Sequence, residues 1–560
     1  MKFYIYFFTF YQFVFSTTPT VRVEQGELIG KLYQLPNGRI VYAFLGIPYA
    51  LPPIHKYRFQ EPHPIKTWIG VWNASTVSSA CLQHLHNTYK IIGEEDCLYL
   101  NVFTPKLPKK GVSSLLDVIV YIHGGAFMFG TGSEYLPDYI MMNHELIYIS
   151  INYRLGALGF LSTGDNVAPG NNGLKDQNAA LKWIHHNIIQ FGGNPASITI
   201  VGNSAGGASV HYHLLSPLSD GLFQKGISLS GTVLPPWTLS KNNTEKSAYL
   251  ASLLGCSSNT SANMIKCLQK RPARQIIEAV KYFQPWRYSP FTAFGPVIEP
   301  VNSKAFINEE PLKLLKKGKI KNVPWLISLC KEEGLYPAAD FIAEDKHLNE
   351  LNDNWEEIAP NLFNFNFSVS NSEEKKIVSK AIKKWYFNDK NISKETVPQL
   401  IQALGDRLFY NDIFRSVQLH SSNSKENVFC YTFNYRGKYS LSDKYSKTNT
   451  DFGVSHSDDL AYFIKYLSGS QLETKSDAAT VDLMCSIIYS FIKTGNLQNF
   501  NLQWKPVSKN VNDNLNCLYI NSPEIQKMGE FSNKQNLEFW KKILPLEYFD
   551  ESLTFEKVEL

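Results

Sequence analysis

One serine lies in a pattern that activates serine as a nucleophile. The apolar run at 198–201 leads directly into G-N-S-A-G at 202–206, with Ser204 at its centre. This order predicts a strand, a sharp turn and a helix, with the serine held in a strained backbone conformation. The helix after the turn would direct its free N–H groups toward the same point, where they stabilise a negative charge. The pattern therefore indicates a nucleophile elbow.

A serine nucleophile needs a histidine base, and in chains with this elbow the acid and the histidine follow the serine. The downstream candidates are His211, His213, His347, His420 and His456. His456 is favoured because it follows a strand and a glycine, in a loop that precedes an acidic pair. We expect His213 to pack on the elbow helix, whereas His347 and His420 occur in polar helical segments.

Four acidic residues compete for the role of the triad acid: Glu332, Glu333, Asp458 and Asp459. The apolar run at 325–329 predicts a strand aimed at the catalytic edge of the sheet. Gly334 would then permit a turn that brings the preceding Glu333 under the imidazole. Asp458 and Asp459 are so close to His456 in sequence that we expect them to cap the following helix. These patterns favour Glu333.

A second glycine motif, H-G-G-A-F at 123–127, ends the apolar strand at 118–122. Glycines at such a position let backbone N–H groups approach a substrate oxygen, as in an oxyanion hole. An ordinary glycine turn is the alternative. The occurrence of both motifs, each at the end of a strand, favours the oxyanion hole.

The elements around these motifs predict an α/β fold. Short apolar runs with turn residues at 21–50 indicate β-hairpins, and buried strands are expected at 98–103, 118–122, 146–152, 198–201 and 428–436. Helical spacing occurs at 178–189 and 480–493, and residues 303–420 are mostly helical in pattern. Helices that alternate with apolar strands predict a large, mostly parallel sheet covered on both faces.

Composition places the chain among globular proteins. Of 560 residues, 44% are hydrophobic and 19% charged, and the net charge of +5 is spread without a basic stripe, so we expect no nucleic-acid partner. No repeat or long linker divides residues 19–560, which we interpret as a single domain. Residues 1–18 begin with one lysine and an apolar, chiefly aromatic run, which predicts a signal peptide, with a buried first strand as the alternative. No later run is long enough for a membrane helix.

The chain carries further marks of the secretory pathway. Five sequons predict glycosylation at Asn73, Asn242, Asn259, Asn366 and Asn391. The last four residues, K-V-E-L at 557–560, resemble a luminal retention signal, so secretion and the endoplasmic reticulum lumen are both open. In an oxidising compartment the close pairs Cys81/Cys97 and Cys256/Cys267 would form small-loop disulfides. No obvious partner is evident for Cys330, Cys430, Cys485 or Cys517, and no zinc motif or cofactor is expected.

Several motifs in order give the chain a family resemblance. They are F-L-G-I-P-Y-A at 44–50, E-D-C-L-Y-L-N-V at 95–102, H-G-G-A-F, N-Y-R-L-G-A-L-G-F at 152–160, G-L-K-D-Q-N-A-A-L-K-W at 173–183, F-G-G-N-P at 191–195, the elbow, K-E-E-G at 331–334 and G-V-S-H at 453–456. Over essentially the whole mature chain the sequence resembles the type-B carboxylesterase and cholinesterase family, particularly insect carboxylesterases. The resemblance implies an α/β-hydrolase fold and ester hydrolysis through an acyl-enzyme.

The resemblance also assigns residues. It implies a triad of Ser204, Glu333 and His456, with the oxyanion-hole N–H groups supplied by Gly124, Gly125 and Ala205. It matches both cysteine pairs to the family's two usual small loops, and it implies salt bridges Arg58–Glu95 and Arg154–Asp176. Ser230 resembles a hydroxyl close to the triad. Trp237 resembles the wall of the acyl pocket, although plain core is the alternative.

Three departures narrow the function. Asn203 stands where the family commonly has Glu and its juvenile-hormone esterases have Gln, and the loop between Cys81 and Cys97 has no tryptophan to bind a cation. The third disulfide of cholinesterases lacks a matching cysteine, because Cys430 lies within a strand. We therefore expect a serine carboxylesterase for small, hydrophobic esters. A juvenile-hormone-type esterase and a non-catalytic adhesion relative are the alternatives; the natural ester and the oligomeric state stay open.

Overall fold

The computed structural model describes residues 18–548, apart from 89, 109–113, 467–468 and 501–502. Nearly all of the predicted signal peptide and the whole K-V-E-L tail lie outside the described residues. Within the part of the chain that is described, no helix combines the length and apolarity needed to cross a bilayer.

Sixteen strands are present in the described residues. They are β1 Thr20–Val23, β2 Gly26–Ile29, β3 Lys31–Gln34, β4 Ile40–Pro48, β5 Val71–Asn73, β6 Gln83–His84, β7 Ile91–Ile92, β8 Tyr99–Thr104, β9 Leu116–Ile122, β10 Ile147–Ile151, β11 Gly193–Asn203, β12 Lys225–Leu229, β13 Trp325–Cys330, β14 Val428–Phe433, β15 Leu515–Ile520 and β16 Gln526–Phe531.

Eighteen α-helices are present in the described residues. They are α1 Asp138–Asn143, α2 Gly156–Phe160, α3 Asn172–Asn187, α4 Ala205–Leu215, α5 Asn243–Leu253, α6 Ser261–Leu268, α7 Ala273–Ala279, α8 Pro311–Lys316, α9 Leu335–Ile342, α10 Asp345–Asp353, α11 Trp355–Leu362, α12 Ser372–Phe387, α13 Val397–Gly405, α14 Asn411–Asn423, α15 Leu441–Ser446, α16 Lys475–Thr494, α17 Lys534–Ile543 and α18 Pro545–Tyr548. Most of the region at 303–420 is helical, as its pattern predicts.

Eleven of the strands form one sheet in the order β16-β15-β14-β13-β12-β11-β9-β10-β8-β4-β3. The pairs from β15 through β10 are all parallel, and the strands outside them pair antiparallel. Along β9, Val118, Val120 and Ile122 belong to one hydrophobic cluster, and Ile119 and Tyr121 to another. Because alternate side chains of a strand point to opposite faces, both faces are covered. The α/β-hydrolase class is thereby confirmed.

Parallel strands bring their carboxyl ends to one edge of the sheet, where ligand sites of open α/β sheets lie. Ser204 follows β11 directly, and Glu333 lies three residues after β13. His456 lies in the connection that leaves β14 and precedes a short 3₁₀ helix at Asp459–Tyr462. The topology therefore brings three chemically competent side chains to the same edge from widely separated parts of the chain.

Three disulfides are present in the described residues: Cys81–Cys97, Cys256–Cys267 and Cys430–Cys517. The expectation that Cys430 lacks a partner because it lies within a strand is wrong. Its strand β14 pairs in parallel with β15, in a register that sets Tyr431 beside Leu518, so Cys430 and Cys517 are neighbours with Cα atoms 4.5 Å apart. Cys330 and Cys485 are buried free thiols.

Candidate active site

Ser204 occupies the turn between β11 and α4 with φ +55° and ψ −122°, a region that non-glycine residues rarely adopt. Its N–H donates to Leu229 O at 2.7 Å, which ties the turn to β12. A Cβ at Gly206 would lie 2.0 Å from Ile122 O, so the helix can approach β9 this closely only with glycine there. The turn is thus built as the G-x-S-x-G pattern predicts.

Glu333 and His456 form a buried hydrogen-bonded pair. The Glu333 side chain is fully buried, and its Oε2 lies 2.6 Å from His456 Nδ1. Its Oε1 accepts from Ser230 Oγ at 2.5 Å and from Cys330 N–H at 2.7 Å. Because the carboxylate accepts at Nδ1, that nitrogen carries the proton and Nε2 keeps its lone pair. His456 Nε2 has no hydrogen-bond partner among the described residues, so it is available as a base.

Gly334 acts differently from the expected turn. Its φ is −68°, which any residue adopts, but a Cβ there would lie 1.9 Å from Ile401 O. The glycine is therefore required by the close approach of α13 to the segment that carries Glu333.

The neighbouring acids hold the loop that carries His456. Glu332 N–H donates to Val454 O, and Val454 N–H donates back to Glu332 Oε2 at 2.7 Å. The Asp458 carboxylate accepts from Ser455 N–H at 2.8 Å and from Leu441 N–H, the first residue of α15, also at 2.8 Å. The expectation that Asp458 caps the helix after it is wrong, because its side chain turns back to cap α15. Burial raises the pKa of Asp458 to about 7.

The Asp459 carboxylate also forms its hydrogen bonds with residues other than His456. Its Oδ2 accepts from the hydroxyls of Ser328 and Tyr431, at 2.6 and 2.9 Å, and its Oδ1 accepts from the adjacent Leu460 N–H. Burial raises the pKa of this carboxyl. Asp459 therefore joins the 3₁₀ segment to β13 and β14, and neither aspartate contacts His456 in the way that Glu333 does.

Asn203 joins the elbow to the histidine loop. Its Nδ2 donates to Ser457 Oγ at 2.9 Å, and its Oδ1 accepts from Tyr121 Oη at 2.6 Å. Asn203 directly precedes Ser204, and Ser457 directly follows His456. This buried bridge thus connects the residues that flank the candidate nucleophile and base. In the sequence, Asn203 stands out only as a departure from the family pattern. No nearby residue indicates its contact with Ser457, which lies 254 positions away.

The H-G-G-A-F motif lies against the elbow. A Cβ at Gly124 would lie 3.1 Å from Ser204 Cβ, so the motif borders Ser204. Within the described residues, the backbone N–H groups of Gly124, Gly125 and Ala205 donate no hydrogen bond. His123 is fully buried, stacks on Tyr153 at 4.4 Å, and its pKa is lowered to about 4 by burial. It therefore supports the motif as a neutral side chain.

Aromatic rings lie beside His456 and extend to Trp237. Phe409 lies 4.5 Å from the His456 ring and 6.1 Å from Trp237, between ring centroids. Trp237 also contacts Phe127 and Phe291, and its Nε1 donates to Leu408 O at 2.7 Å. Trp237 thus forms part of the apolar wall near the site, while its indole N–H is satisfied by the backbone.

The other candidate histidines lie outside the site. His213 is buried in α4, as expected, between Ser219 Oγ at 2.7 Å and Gln177 Oε1 at 3.1 Å. His420 lies in helix α14, as its segment predicts, and is fully buried against His211, whose Nε2 lies 3.2 Å from His420 Nδ1. Burial lowers the pKa of both His213 and His420 to about 3.

The remaining expected contacts are structural. The salt bridges Arg58–Glu95 and Arg154–Asp176 are present, with closest distances of 2.6 and 2.7 Å. Of the five sequon asparagines, four are exposed, and Asn366 is half-buried with its Oδ1 accepting from Lys375 Nζ. No cluster of three or more potential metal ligands occurs in the described part of the chain.

A strained serine elbow on a mostly parallel sheet, together with a buried Glu–His pair, defines the class of the α/β-hydrolase serine enzymes. A model of the Carboxylesterase family matches residues 17–540. The chain is 44% identical to Esterase FE4 of Myzus persicae over 503 residues, which cover 89% of this chain and 88% of that one. It is 41% identical to Venom carboxylesterase-6 of Apis mellifera over 531 residues, 94% of each chain.

Among solved structures, the juvenile hormone esterase of Manduca sexta with OTFP covalently attached matches with a TM-score of 0.80 and 26% identity, over 94% of this chain and 100% of that one. The chain therefore belongs to the carboxylesterase family, as its motifs predict, and the protein is a carboxylic ester hydrolase of the serine type.

Proposed function

We propose that Ser204, His456 and Glu333 are the triad that performs ester hydrolysis in this chain. Ser204 Oγ attacks the ester carbonyl carbon while its proton passes to His456 Nε2. Glu333 holds Nδ1–H and stabilises the imidazolium that forms. The observation that carries this assignment is the fully buried Glu333–His456 contact of 2.6 Å, on the sheet edge where the strained Ser204 lies.

The developing oxyanion would be bound by the N–H groups of Gly124, Gly125 and Ala205, which are without acceptors among the described residues. As the tetrahedral intermediate collapses, the C–O bond to the alcohol breaks and the alcohol takes the proton from His456. A water molecule then attacks the acyl-enzyme, giving its proton to Nε2, and the acid departs as the proton returns to Ser204 Oγ. Every proton is returned, so no cofactor is needed.

We propose hydrophobic esters as the substrates. The apolar wall formed by Phe127, Trp237, Phe291 and Phe409 favours an apolar acyl group over a hydrophilic one. A juvenile-hormone-type activity is the narrower alternative, supported by the likeness to the Manduca sexta enzyme. Asn203 in place of the Gln typical of those enzymes counts against it. An adhesion role without catalysis is disfavoured because the chain has all three residues of the proposed triad.

We propose that the chain travels through the secretory pathway. Three disulfides are typical of proteins that fold in an oxidising compartment, and four of the five sequon asparagines are exposed. If K-V-E-L at 557–560 retains the protein, deleting these residues increases its export from cells. Equal export of both forms would favour secretion.

Replacement of the nucleophile tests the triad. We expect Ser204→Ala to lower kcat for para-nitrophenyl butyrate by about 10⁴-fold or more, because only the attacking oxygen is removed. Ser252→Ala, at an exposed serine of α5, is the matched control. Circular dichroism checks that both variants are folded. Comparable turnover by folded Ser204→Ala would contradict the assignment.

A further inference from the structure

A cavity of about 320 Å³ lies immediately outside the candidate active site. Its lining includes Met128 and Phe129, which directly follow the H-G-G-A-F motif, and Phe291, whose ring lies 5.7 Å from Trp237. Phe291 also contacts Tyr336, whose ring is 5.6 Å from His456. The cavity therefore adjoins the apolar wall of the site, where the outer part of an ester held at Ser204 would extend.

The cationic side chain of Arg287 lines this cavity and is held by neutral partners. Its Nη2 donates to Asn87 Oδ1 at 2.9 Å, and its Nη1 donates to His347 Nε2. Accepting this bond requires the unprotonated form of His347, and the pKa of that histidine is lowered by burial and by Arg287. The hydrogen bonds of Arg287 thus go to two neutral groups, and its Nε–H is buried without an acceptor among the described residues. A half-buried cation in this state favours an anionic partner.

The rim of the cavity adds to the positive charge. Lys346 and Lys447 share one carboxylate, Glu344, at 2.7 and 3.7 Å. The described lining therefore contains three permanent cations and one acid. Asp340 lies behind this lining, where it accepts from Asn87 Nδ2 and from Tyr288 Oη. The residues that line the cavity therefore carry a net positive charge.

The disulfide loop supplies a further part of the cavity wall. Residues 83–88, within the Cys81–Cys97 loop, line the cavity, and the His86 ring stacks on Phe129 with centroids 4.3 Å apart. The described lining has more basic than acidic side chains, and this charge balance favours an anion over a cation. The loop therefore closes a cavity whose charge suits an anion.

From these contacts we propose that the cavity binds a carboxylate carried by the ester substrate at the end remote from its scissile bond, with Arg287 as the principal partner and Lys346 and Lys447 assisting. This inference rests on the proposed function, because it assumes that the ester is held at Ser204. It assigns a substrate class: amphipathic esters with an apolar chain near the triad and a free acid at the outer end. Arginine suits this role because its planar donors match a carboxylate.

Matched ester pairs test the proposal. Mono-para-nitrophenyl suberate and sebacate end in a carboxylate, and para-nitrophenyl octanoate and decanoate end in a methyl group at the same chain length. The measured quantity is the ratio of kcat/KM for the acid-ended ester to that for its methyl-ended counterpart. We expect Arg287→Gln to lower this ratio by about tenfold, since a half-buried ionic contact is lost. Raising the salt concentration should lower the wild-type ratio.

Two further variants make the result decisive. The double variant Lys346→Gln, Lys447→Gln changes exposed side chains and should lower the ratio by about threefold even if Arg287→Gln does not fold. Arg22→Gln, at an exposed arginine of β1, is the matched control and should leave the ratio unchanged. An unchanged ratio in both cavity variants, or an equal fall in the control, would overturn the proposal. Hydrolysis of both ester classes by folded Ser204→Ala would instead contradict the proposed function.

Discussion

The buried region of the proposed triad and the outer cavity are built in opposite ways. In the region of the proposed triad, Glu333 is fully buried and its two carboxylate oxygens accept three hydrogen bonds, two of them from Ser230 and Cys330 at strand ends and one from His456. In the outer cavity, the charged groups lie on loops and helix ends, and the two lysine side chains are exposed by more than half. The difference indicates that reaction geometry depends on rigid strand ends, whereas recognition of a remote group tolerates adaptable side chains.

The largest expected effect concerns the buried region of the proposed triad. Glu333→Gln keeps the shape of the side chain but removes the charge that stabilises the imidazolium of His456, so we expect kcat to fall by about 10³- to 10⁴-fold. Glu332→Gln is the matched control, because its remaining amide oxygen can still accept from Val454 N–H. Steady-state kinetics with para-nitrophenyl butyrate measure both. Near-parental turnover of Glu333→Gln, with a large loss in Glu332→Gln, would move the acid to Glu332.

A smaller effect concerns the stability of the elbow helix in acid. Burial lowers the pKa of His213 to about 3, so its neutral form contributes stability above about pH 6.5 that is lost as the pH falls toward 3. Between pH 7 and 5 this amounts to about 2 kcal/mol of unfolding free energy. The raised pKa values of Asp406 and Asp458 act in the opposite direction, so the prediction is made for a difference between variants.

We therefore expect the stability difference between wild type and His213→Gln to shrink by about 2 kcal/mol between pH 7 and 5, as measured by urea unfolding. His55→Gln, at an exposed histidine, is the control. A difference for His213→Gln that stays constant over this range would show that burial does not keep this side chain neutral.

The smallest effect tests the bridge between the residues that flank the proposed nucleophile and the proposed base. Asn203→Ala and Ser457→Ala each remove the 2.9 Å hydrogen bond between the elbow and the histidine loop, and we expect each to lower kcat by about tenfold with little change in KM. The double variant should lose little more than either single one, because both act on the same contact. Fully additive losses would mean that the two residues act independently.

The sequence predicted best what is local. The elbow, the strand before Glu333 and the loop of His456 each have a signal within a few residues, and the family motifs place them in order. The side-chain contacts that complete the site are not local. The Asn203–Ser457 bond, the Cys430–Cys517 disulfide and the return of Asp458 to α15 depend on which strands and loops become neighbours. Only the three-dimensional packing determines those.

Covalent labelling tests the central claim most directly. A dialkyl phosphoryl inhibitor such as paraoxon transfers its phosphoryl group to an activated serine and releases para-nitrophenol, and the adduct is located by mass spectrometry of peptides. We predict one adduct per chain, on Ser204, with no adduct in Ser204→Ala and much slower labelling in His456→Gln. An adduct on another serine, or none in active wild-type protein, would contradict the account.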